Sequence, residues 1–274
     1  MKNIIVNHQG FTGDLIYCIP LLCEFKEATG CNYVNFHIQT NVISKLMFEH
    51  PNGNVKMTNA AAEFIKPLLE SINIFDKITY SDNLPKLNDN ENILDLSLSY
   101  NKSINYMNGN IQEWPYDIMK IHLSQDFSKQ RIFITPDFKF KDKVILVKTK
   151  RYNNALLDLN QLKNYANRFV FIGLEDEHKE FEQNHFKVDY YKVKDALEFA
   201  QILAGAQGII SNQTSLFAIA EMMKVPRVLL TVEWMRINNK LYPGPVNVHP
   251  QGGWFEVVQT NEKLKSAAEN LLNK

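Results

Sequence analysis

The segment SNQTSLFAIAEMMKVPRVLL, residues 211–230, constrains the fold more strongly than any other part of the sequence. It follows a short apolar run and predicts a turn, a helix over 214–223 and a new strand from Arg227 to Leu230. The helix is apolar on nearly every face, so it has to be buried on all sides. We therefore expect it inside a layered α/β domain, with its N-terminus at the carboxyl end of a strand.

The start of this helix is a candidate phosphate site. The unpaired backbone N–H groups of a helix N-terminus and the positive end of its dipole suit an anion. Asn212, Gln213 and Thr214 lie at this point of the sequence, but such residues are equally typical of a helix cap that binds nothing. On the local sequence alone, both interpretations stay open.

Composition limits the class of protein. The chain has 274 residues, enough for one large domain or two of ordinary size. Lys+Arg and Asp+Glu both number 30, so no overall basic field predicts binding to nucleic acid. The sequence shows no zinc-type Cys/His spacing, no Asp-x-Asp motif, no signal peptide and no stretch long enough to span a membrane. We expect a cytoplasmic protein, and the sequence offers no candidate site for a metal ion or a bound cofactor.

Strand and helix patterns alternate through both halves of the chain, and each half opens with a strand, a turn and a helix. This order predicts an α/β protein with two Rossmann-like domains, 1–135 and 136–274, facing across a cleft. The polar segment 126–140 is the predicted linker. The full G-x-G-x-x-G motif is missing, which argues against redox chemistry on NAD.

The remaining predicted elements follow from local periodicity. A long segment at 233–253 has no regular apolar period and predicts an irregular loop, which at this length is typically functional or disordered. The predicted strands are 3–7, 33–39, 77–80, 93–98, 143–147, 169–172, 188–193 and 255–258, and the predicted helices are 14–30, 41–49, 60–71, 114–123, 156–167, 174–185, 195–204 and 261–274.

Three stretches resemble the family 9 glycosyltransferases, the heptosyltransferase-type enzymes of bacterial envelope sugars. They are GDLIYCIPLL near the N-terminus, FIGLEDEHKEF in the second half, and AGAQGIISNQTSLFAIAEMMKVPRVLL. The resemblance implies a GT-B fold and metal-independent transfer of a sugar from a nucleotide-diphosphate sugar. The acceptor, a glycan or a lipid-linked molecule reached by peripheral membrane contact, would bind the first domain and the donor the second.

On the acceptor side, the resemblance implies that Asp14 is the general base that takes a proton from the acceptor hydroxyl. The alternative for Asp14 is an acid that only stabilises the start of its helix. His8, Gln9 and Gly13 are the other predicted residues of this side of the cleft.

On the donor side, the leaving diphosphate needs hydrogen-bond donors and cations, and a ribose suits a carboxylate acceptor. Arg151 is an alternative to the two lysines as the cation, and a basic turn is also typical of plain solvated surface. The predicted donor-binding residues are Lys148, Lys150, Glu175, Asn212, Gln213, Thr214 and Ser215.

Three residues depart from the family pattern. Gln213 stands where the family has Asp, and Ser215 and Ala218 replace its Gly and His. These departures keep two alternatives open. One is a non-catalytic nucleotide- or sugar-binding relative, and the other is a different GT-B-like nucleotide-sugar enzyme such as an epimerase.

Overall fold

The computed structural model describes residues 3–31, 33–43, 55–96, 111–119, 131–150, 154, 156–231, 234–237, 240–243, 248 and 250–273. The predicted helix at 41–49 falls largely outside these residues, as do Arg151 and the end of the helix predicted at 114–123.

The chain forms two compact units. Unit 1 comprises Met1–Ile132 with Asp195–Leu197, and unit 2 comprises Phe133–Lys194 with Glu198–Lys274. The division at 132/133 falls within the polar segment that the sequence marks as a linker. The assignment of the two halves to acceptor and donor stays a prediction.

Unit 1 contains a four-stranded parallel sheet in the order β3-β2-β1-β4. The chain adds β2 and β3 on one side of β1 and then returns to place β4 on the other side. The order of strand addition therefore reverses between β1 and β4, which is the topological switch point of this sheet. The elements are β1 (Asn3–His8), α1 (Thr12–Thr29), β2 (Val34–Gln39), α2 (Asn59–Ser71), β3 (Lys77–Ser81), β4 (Glu91–Asp95) and α3 (Trp114–Met119).

Helix α1 begins at Thr12, two residues before the predicted start at Asp14, and continues through Pro20. It ends where Gly30 adopts the left-handed conformation, with φ of 57°. The run from Leu15 to Ile19 is buried, as its apolar sequence predicts. The first half of the helix is therefore packed against the rest of unit 1.

Unit 2 contains a six-stranded parallel sheet in the order β12-β9-β8-β5-β6-β7 and a separate antiparallel pair, β10-β11. When the six strands of this sheet are numbered from its first strand, β5, their order is that of a doubly wound dinucleotide-binding sheet. The order of strand addition reverses between β5 and β8, which is the switch point of unit 2. The elements are β5 (Val144–Val147), β6 (Phe169–Phe171), α4 (Glu175–Asn184), β7 (Asp189–Tyr190), α5 (Ala196–Gly205), β8 (Gly208–Asn212), α6 (Ser215–Met223), β9 (Arg227–Leu230), β10 (Trp234–Ile237), β11 (Lys240–Pro243), β12 (Phe255–Val258) and α7 (Asn261–Leu272). The first two residues of α5 belong to unit 1.

Helix α6 confirms the prediction of a fully buried helix, because every residue from Phe217 to Met223 is buried. One of these residues is Glu221, whose carboxylate accepts from the equally buried Arg227 at 2.6 Å and from Lys224 at 2.6 Å. The apolar appearance of the helix therefore hides a buried ion cluster at its C-terminal end.

Arg227 is fully buried at the start of β9, and its guanidinium is satisfied by the chain around it. Besides Glu221, it donates to the carbonyls of Val225 (3.1 Å), Gln251 (3.0 Å) and Gly252 (2.8 Å). The segment that leads into β12 is thereby anchored to the amino-terminal edge of the sheet. A buried charge is tolerated only when it is paired and hydrogen-bonded in this way.

Two predicted elements were wrong. Residues 156–167 were predicted as an α-helix, but Leu159–Arg168 is a 3-10 helix. Its buried residues Leu159 and Leu162 are three apart, which matches the three-residue turn of a 3-10 helix. The irregular loop predicted at 233–253 contains the β10-β11 hairpin. Among the residues that the structure describes, no helix is long and apolar enough to cross a membrane.

Candidate functional site

The carboxyl ends of β5 and β8 meet at the switch point of unit 2, where open parallel sheets bind ligands. Asn212, the last residue of β8, is buried there. Its Oδ1 accepts from the Thr149 backbone N–H (3.1 Å), and its Nδ2 donates to the Thr149 carbonyl (3.1 Å) and hydroxyl (3.1 Å). The Asn212 side chain thus acts as a clamp that extends the β5–β8 pairing beyond Val147 and Ser211.

Helix α6 starts immediately after this clamp. Thr214 is its N-cap, and its hydroxyl accepts from the Phe217 backbone N–H at 3.0 Å. Ser215 is the first helical residue, and the Ser211 hydroxyl lies 3.2 Å from that of Thr214. An N-cap side chain satisfies one of the four orphan N–H groups of a helix start. Capping and anion binding are therefore compatible at α6.

Lys148 follows β5 directly and is half-buried. Its ammonium donates to the Thr149 carbonyl at 3.3 Å. Burial lowers the pKa of Lys148, and the carboxylates of Glu180 and Glu177 raise it in part. Lys148 is thus a partly desolvated cation one residue from the Asn212 clamp.

Lys148 also borders a small open depression of roughly 50 Å³ beside α4. The wall contains both charge signs and several neutral polar groups, so the depression has no single sign of charge. It is lined by Lys148, Thr149, Lys150, Glu177, Glu180, Phe181, Asn184 and His185.

Two other predicted donor residues are engaged in exposed ion pairs on α4. Lys150 pairs with Asp176 at 3.1 Å and with Glu180 at 3.4 Å, and these bonds raise the pKa of Lys150. Glu175, in the first turn of α4, pairs with Lys179 at 2.6 Å, which lowers the pKa of Glu175. Exposed pairs of this kind contribute little to stability, and a ligand can displace them.

Sequence reasoning missed Glu177. Its half-buried carboxylate accepts from the Leu174 backbone N–H at 3.2 Å and from the backbone N–H of Lys150. A Cβ on Gly173 would lie 3.3 Å from Glu177 Oε2, so the glycine leaves room for this contact. Glu177 therefore ties the loop after β5 to the start of α4. The sequence shows three consecutive acids here, and only burial distinguishes the third.

The positions that depart from the family pattern lie around the start of α6. Gln213 is half-buried in the turn between β8 and α6, and Ser215 is half-buried at the first helical position. Ala218 is fully buried on the second turn. The departures are thus concentrated in the part of unit 2 that the phosphate prediction concerns.

In unit 1 the switch point lies between β1 and β4. Asn7, paired in register with Asp95, donates from Nδ2 to the Asp95 carboxylate at 3.0 Å. His8 follows and is fully buried, and its Nδ1 accepts from the Gly10 N–H at 3.0 Å, which assigns the proton to Nε2. Burial lowers the pKa of His8 to about 3, with Lys56 lowering and Asp95 raising it.

Asp14 lies in the first turn of α1 and is half-buried. Gly13 precedes it in the same turn, and Gln9 lies in the turn between β1 and α1. The N-cap of α1 is Phe11, which provides no side-chain hydrogen bond to the helix. Asp14 therefore lies at a helix start that, in contrast to α6, has no capping hydroxyl.

Within the described ranges, no group of three or more His, Cys, Asp or Glu side chains is arranged to hold a metal ion. Metal independence of the chemistry stays a prediction.

No protein-family model matches the sequence, and no curated protein matches it. Solved structures do match the fold along nearly the whole chain. A family 9 glycosyl transferase from Veillonella parvula DSM 2008 has a TM-score of 0.67 at 12% identity, over 99% of this chain and 97% of that chain. The fold is of the GT-B type.

Two further GT-B structures agree with this assignment. E. coli ADP-heptose lps heptosyltransferase II matches with a TM-score of 0.62 at 9% identity, over 99% of this chain and 98% of that one. E. coli heptosyltransferase WaaC with ADP matches with a TM-score of 0.52 at 12% identity, over 98% and 99%. The predicted fold class is confirmed, and the resemblance to family 9 glycosyltransferases is confirmed for the fold.

Within this GT-B fold the predicted site residues fall into separate sets. In unit 2, the structure brings Lys148, Asn212, Thr214 and Ser215 to one switch point. Lys150 lies in the turn after β5 and pairs with α4, the helix that begins with Glu175. In unit 1, the structure places His8, Gln9, Gly13 and Asp14 on the β1–α1 connection.

Proposed function

We propose that this chain is a glycosyltransferase that moves a sugar from a nucleotide-diphosphate sugar to a hydroxyl of a glycan or lipid-linked acceptor, without a metal ion. The observation that carries the proposal is the unit 2 switch point, where Lys148 and the start of the buried helix α6 lie at adjoining strand ends. A leaving diphosphate gathers negative charge, and an ammonium group and helix N–H groups stabilise that charge.

Asp14 is the proposed general base. Asp14 lies just after the connection that leaves the carboxyl end of β1, and parallel sheets bind ligands at the carboxyl ends of their strands. Its half-buried position leaves part of the side chain accessible to an acceptor hydroxyl. A general base of this kind contributes about 10²–10⁴-fold in rate.

Glu175 and Lys150 are proposed to contact the nucleotide beyond its phosphates. Their ion pairs with Lys179 and Asp176 are exposed, so a ribose or base can replace them at small cost. ADP is the first nucleotide to test, because one structure with this fold contains ADP and another is of an ADP-heptose enzyme.

A binding screen tests the donor half of the proposal. The full chain is titrated with ADP, UDP, GDP and CMP and with their sugar conjugates, with and without EDTA, while thermal stability and heat of binding are followed. We expect one nucleotide diphosphate to stabilise the protein equally with and without EDTA. Lack of binding by all of them would contradict the proposal, and binding that EDTA abolishes would contradict metal independence.

A non-catalytic nucleotide- or sugar-binding protein is the second candidate. Gln213, which is neutral where the family has an acid, and the fully buried Ala218 favour it. Binding of a nucleotide sugar without multiple-turnover transfer or donor hydrolysis would select this candidate.

A further inference from the structure

The turn between β1 and α1, residues 9–11, determines where the first turn of α1 and Asp14 lie. At α6 the corresponding task falls to Thr214, whose hydroxyl caps the helix. At α1 the side chain of the N-cap Phe11 makes no such bond, and the Phe11 carbonyl accepts from the Leu15 backbone N–H at 3.1 Å. The buried run from Leu15 to Ile19 holds the helix from its second turn onward, and the turn before Thr12 bears on its start.

His8 is placed to restrain this turn. Its Nδ1 accepts from the backbone N–H of Gly10 at 3.0 Å, which joins the last residue of β1 to the middle of the turn. His8 has an exposed fraction of 0%, and Gly10 is also buried. Because the ring is fully buried, its hydrogen bond holds Gly10 in a fixed position relative to the end of β1.

The hydrogen bond needs the lone pair on Nδ1, because a protonated ring would direct an N–H at the N–H of Gly10. Lys56 and Asp95 are the charged groups whose fields act on the ring, in opposite directions, and burial dominates both. His8 is therefore neutral at physiological pH. Its Nε2 is buried with no hydrogen-bond partner among the described residues, so in this part of the chain Gly10 provides the bond that orients the ring.

We propose that His8 is a positioning residue for Asp14. Through its bond to Gly10 it fixes the β1–α1 turn, and through that turn it sets the position of the Asp14 carboxylate in the first turn of α1. This role rests on the function proposed above for Asp14, but the His8–Gly10 hydrogen bond itself is a property of unit 1 alone.

Two amide substitutions separate the two ring nitrogens. The side-chain oxygen of Asn takes the approximate place of Nδ1, so His8→Asn keeps the acceptor for Gly10. The amide nitrogen of Gln takes the approximate place of Nε2, so His8→Gln keeps the other nitrogen and loses the acceptor. His8→Leu keeps apolar volume and neither polar group.

Steady-state transfer with the donor found in the binding screen gives the first readout. We expect His8→Asn to keep kcat within about threefold of the wild type, and His8→Gln and His8→Leu to lower kcat by about 10–100-fold, because a misplacement of about 1 Å costs up to that much. The KM for the donor should stay unchanged, since the donor is bound by unit 2. Retained kcat in His8→Gln together with lost kcat in His8→Asn would overturn the proposal.

Amide hydrogen exchange of residues 9–15 gives a second readout that needs no activity. Exchange should be slow in the wild type and in His8→Asn, and at least about tenfold faster in His8→Gln, because an amide that loses its buried acceptor opens more readily. Equal exchange in all of these proteins would show that the His8–Gly10 hydrogen bond does not restrain the turn. A wild type without turnover would overturn the proposed function instead, and the exchange rates would then decide whether His8 restrains the turn. If His8→Leu does not fold, the Asn and Gln variants still give both results.

Discussion

In unit 1 the order of strand addition reverses between β1 and β4, and in unit 2 it reverses between β5 and β8. At each of these switch points an asparagine side chain hydrogen-bonds across to the neighbouring strand end, Asn7 to Asp95 and Asn212 to Thr149. The chemistry beyond the asparagines differs. Unit 1 continues into a neutral buried imidazole and a helix start that carries a carboxylate, whereas unit 2 offers an ammonium group and a capped helix start.

This difference fits the two tasks that we propose for the units. A carboxylate at a strand–helix connection suits the removal of a proton, and an ammonium group beside helix N–H groups suits an anionic leaving group. Units with the same order of their first four strands therefore present different side chains after their first strand.

The largest expected effect separates the chemistry of unit 1 from the binding by unit 2. Asp14→Asn should lower kcat by about 10²–10⁴-fold, because the amide cannot take a proton, while nucleotide binding is unchanged. Initial transfer rates and isothermal titration calorimetry measure the two effects. Glu27→Gln, an exposed change on the same helix, is the matched control and should behave as wild type. Full activity in Asp14→Asn would remove Asp14 from the mechanism.

Lys148→Met should have the opposite pattern. Loss of a charge-assisted contact to a diphosphate costs about 1.5–3 kcal/mol, so nucleotide affinity should fall about 10–100-fold. Calorimetric titration measures this, and Lys163→Met, an exposed lysine of unit 2, is the control. Unchanged affinity in Lys148→Met would mean that the start of α6 binds the phosphates without this cation.

The Asn212 clamp should contribute to folding as well as to the site. Asn212→Ala removes three hydrogen bonds at a buried position and leaves the Thr149 backbone N–H without its Asn212 acceptor, so the free energy of unfolding should fall by about 2 kcal/mol. Urea unfolding measures the loss, with the exposed Asn164→Ala as control. A loss of stability no larger than that of the control would show that the clamp is dispensable.

Near neutral pH the smallest effect is a dependence of stability on pH that belongs to unit 1. The pKa of His8 is about 3 in the folded chain and 6.5 in the reference state, so below pH 6.5 the unfolded chain binds a proton that the folded chain does not. The stability should therefore fall with decreasing pH, by up to about 1.4 kcal/mol per pH unit between about 6.5 and 3. Urea unfolding at several pH values should give a shallower dependence for His8→Asn, and equal slopes would contradict the assignment.

The periodic parts of the fold were predictable from the sequence. The buried helix α6, the strand after it and the alternation of strands and helices followed from apolar spacing, and GT-B architecture followed from the resemblance. Glu177 and the Asn212 clamp were not predictable as contacts, because each depends on a residue brought close only by folding. The 3-10 helix at Leu159–Arg168 was missed because an apolar spacing of three also fits an α-helix.

The anchoring of Arg227 has a consequence for how this chain tolerates changes in length. The segment between β9 and β12 leaves the sheet at Thr231, whose N–H donates to the Val258 carbonyl, and returns where Arg227 holds the carbonyls of Gln251 and Gly252. Both ends are fixed by unit 2 itself, so the segment between them closes a loop whose entropy changes little with added residues. Residues added within this segment are therefore expected to cost little stability, whereas replacing the whole segment would remove the buried Val248.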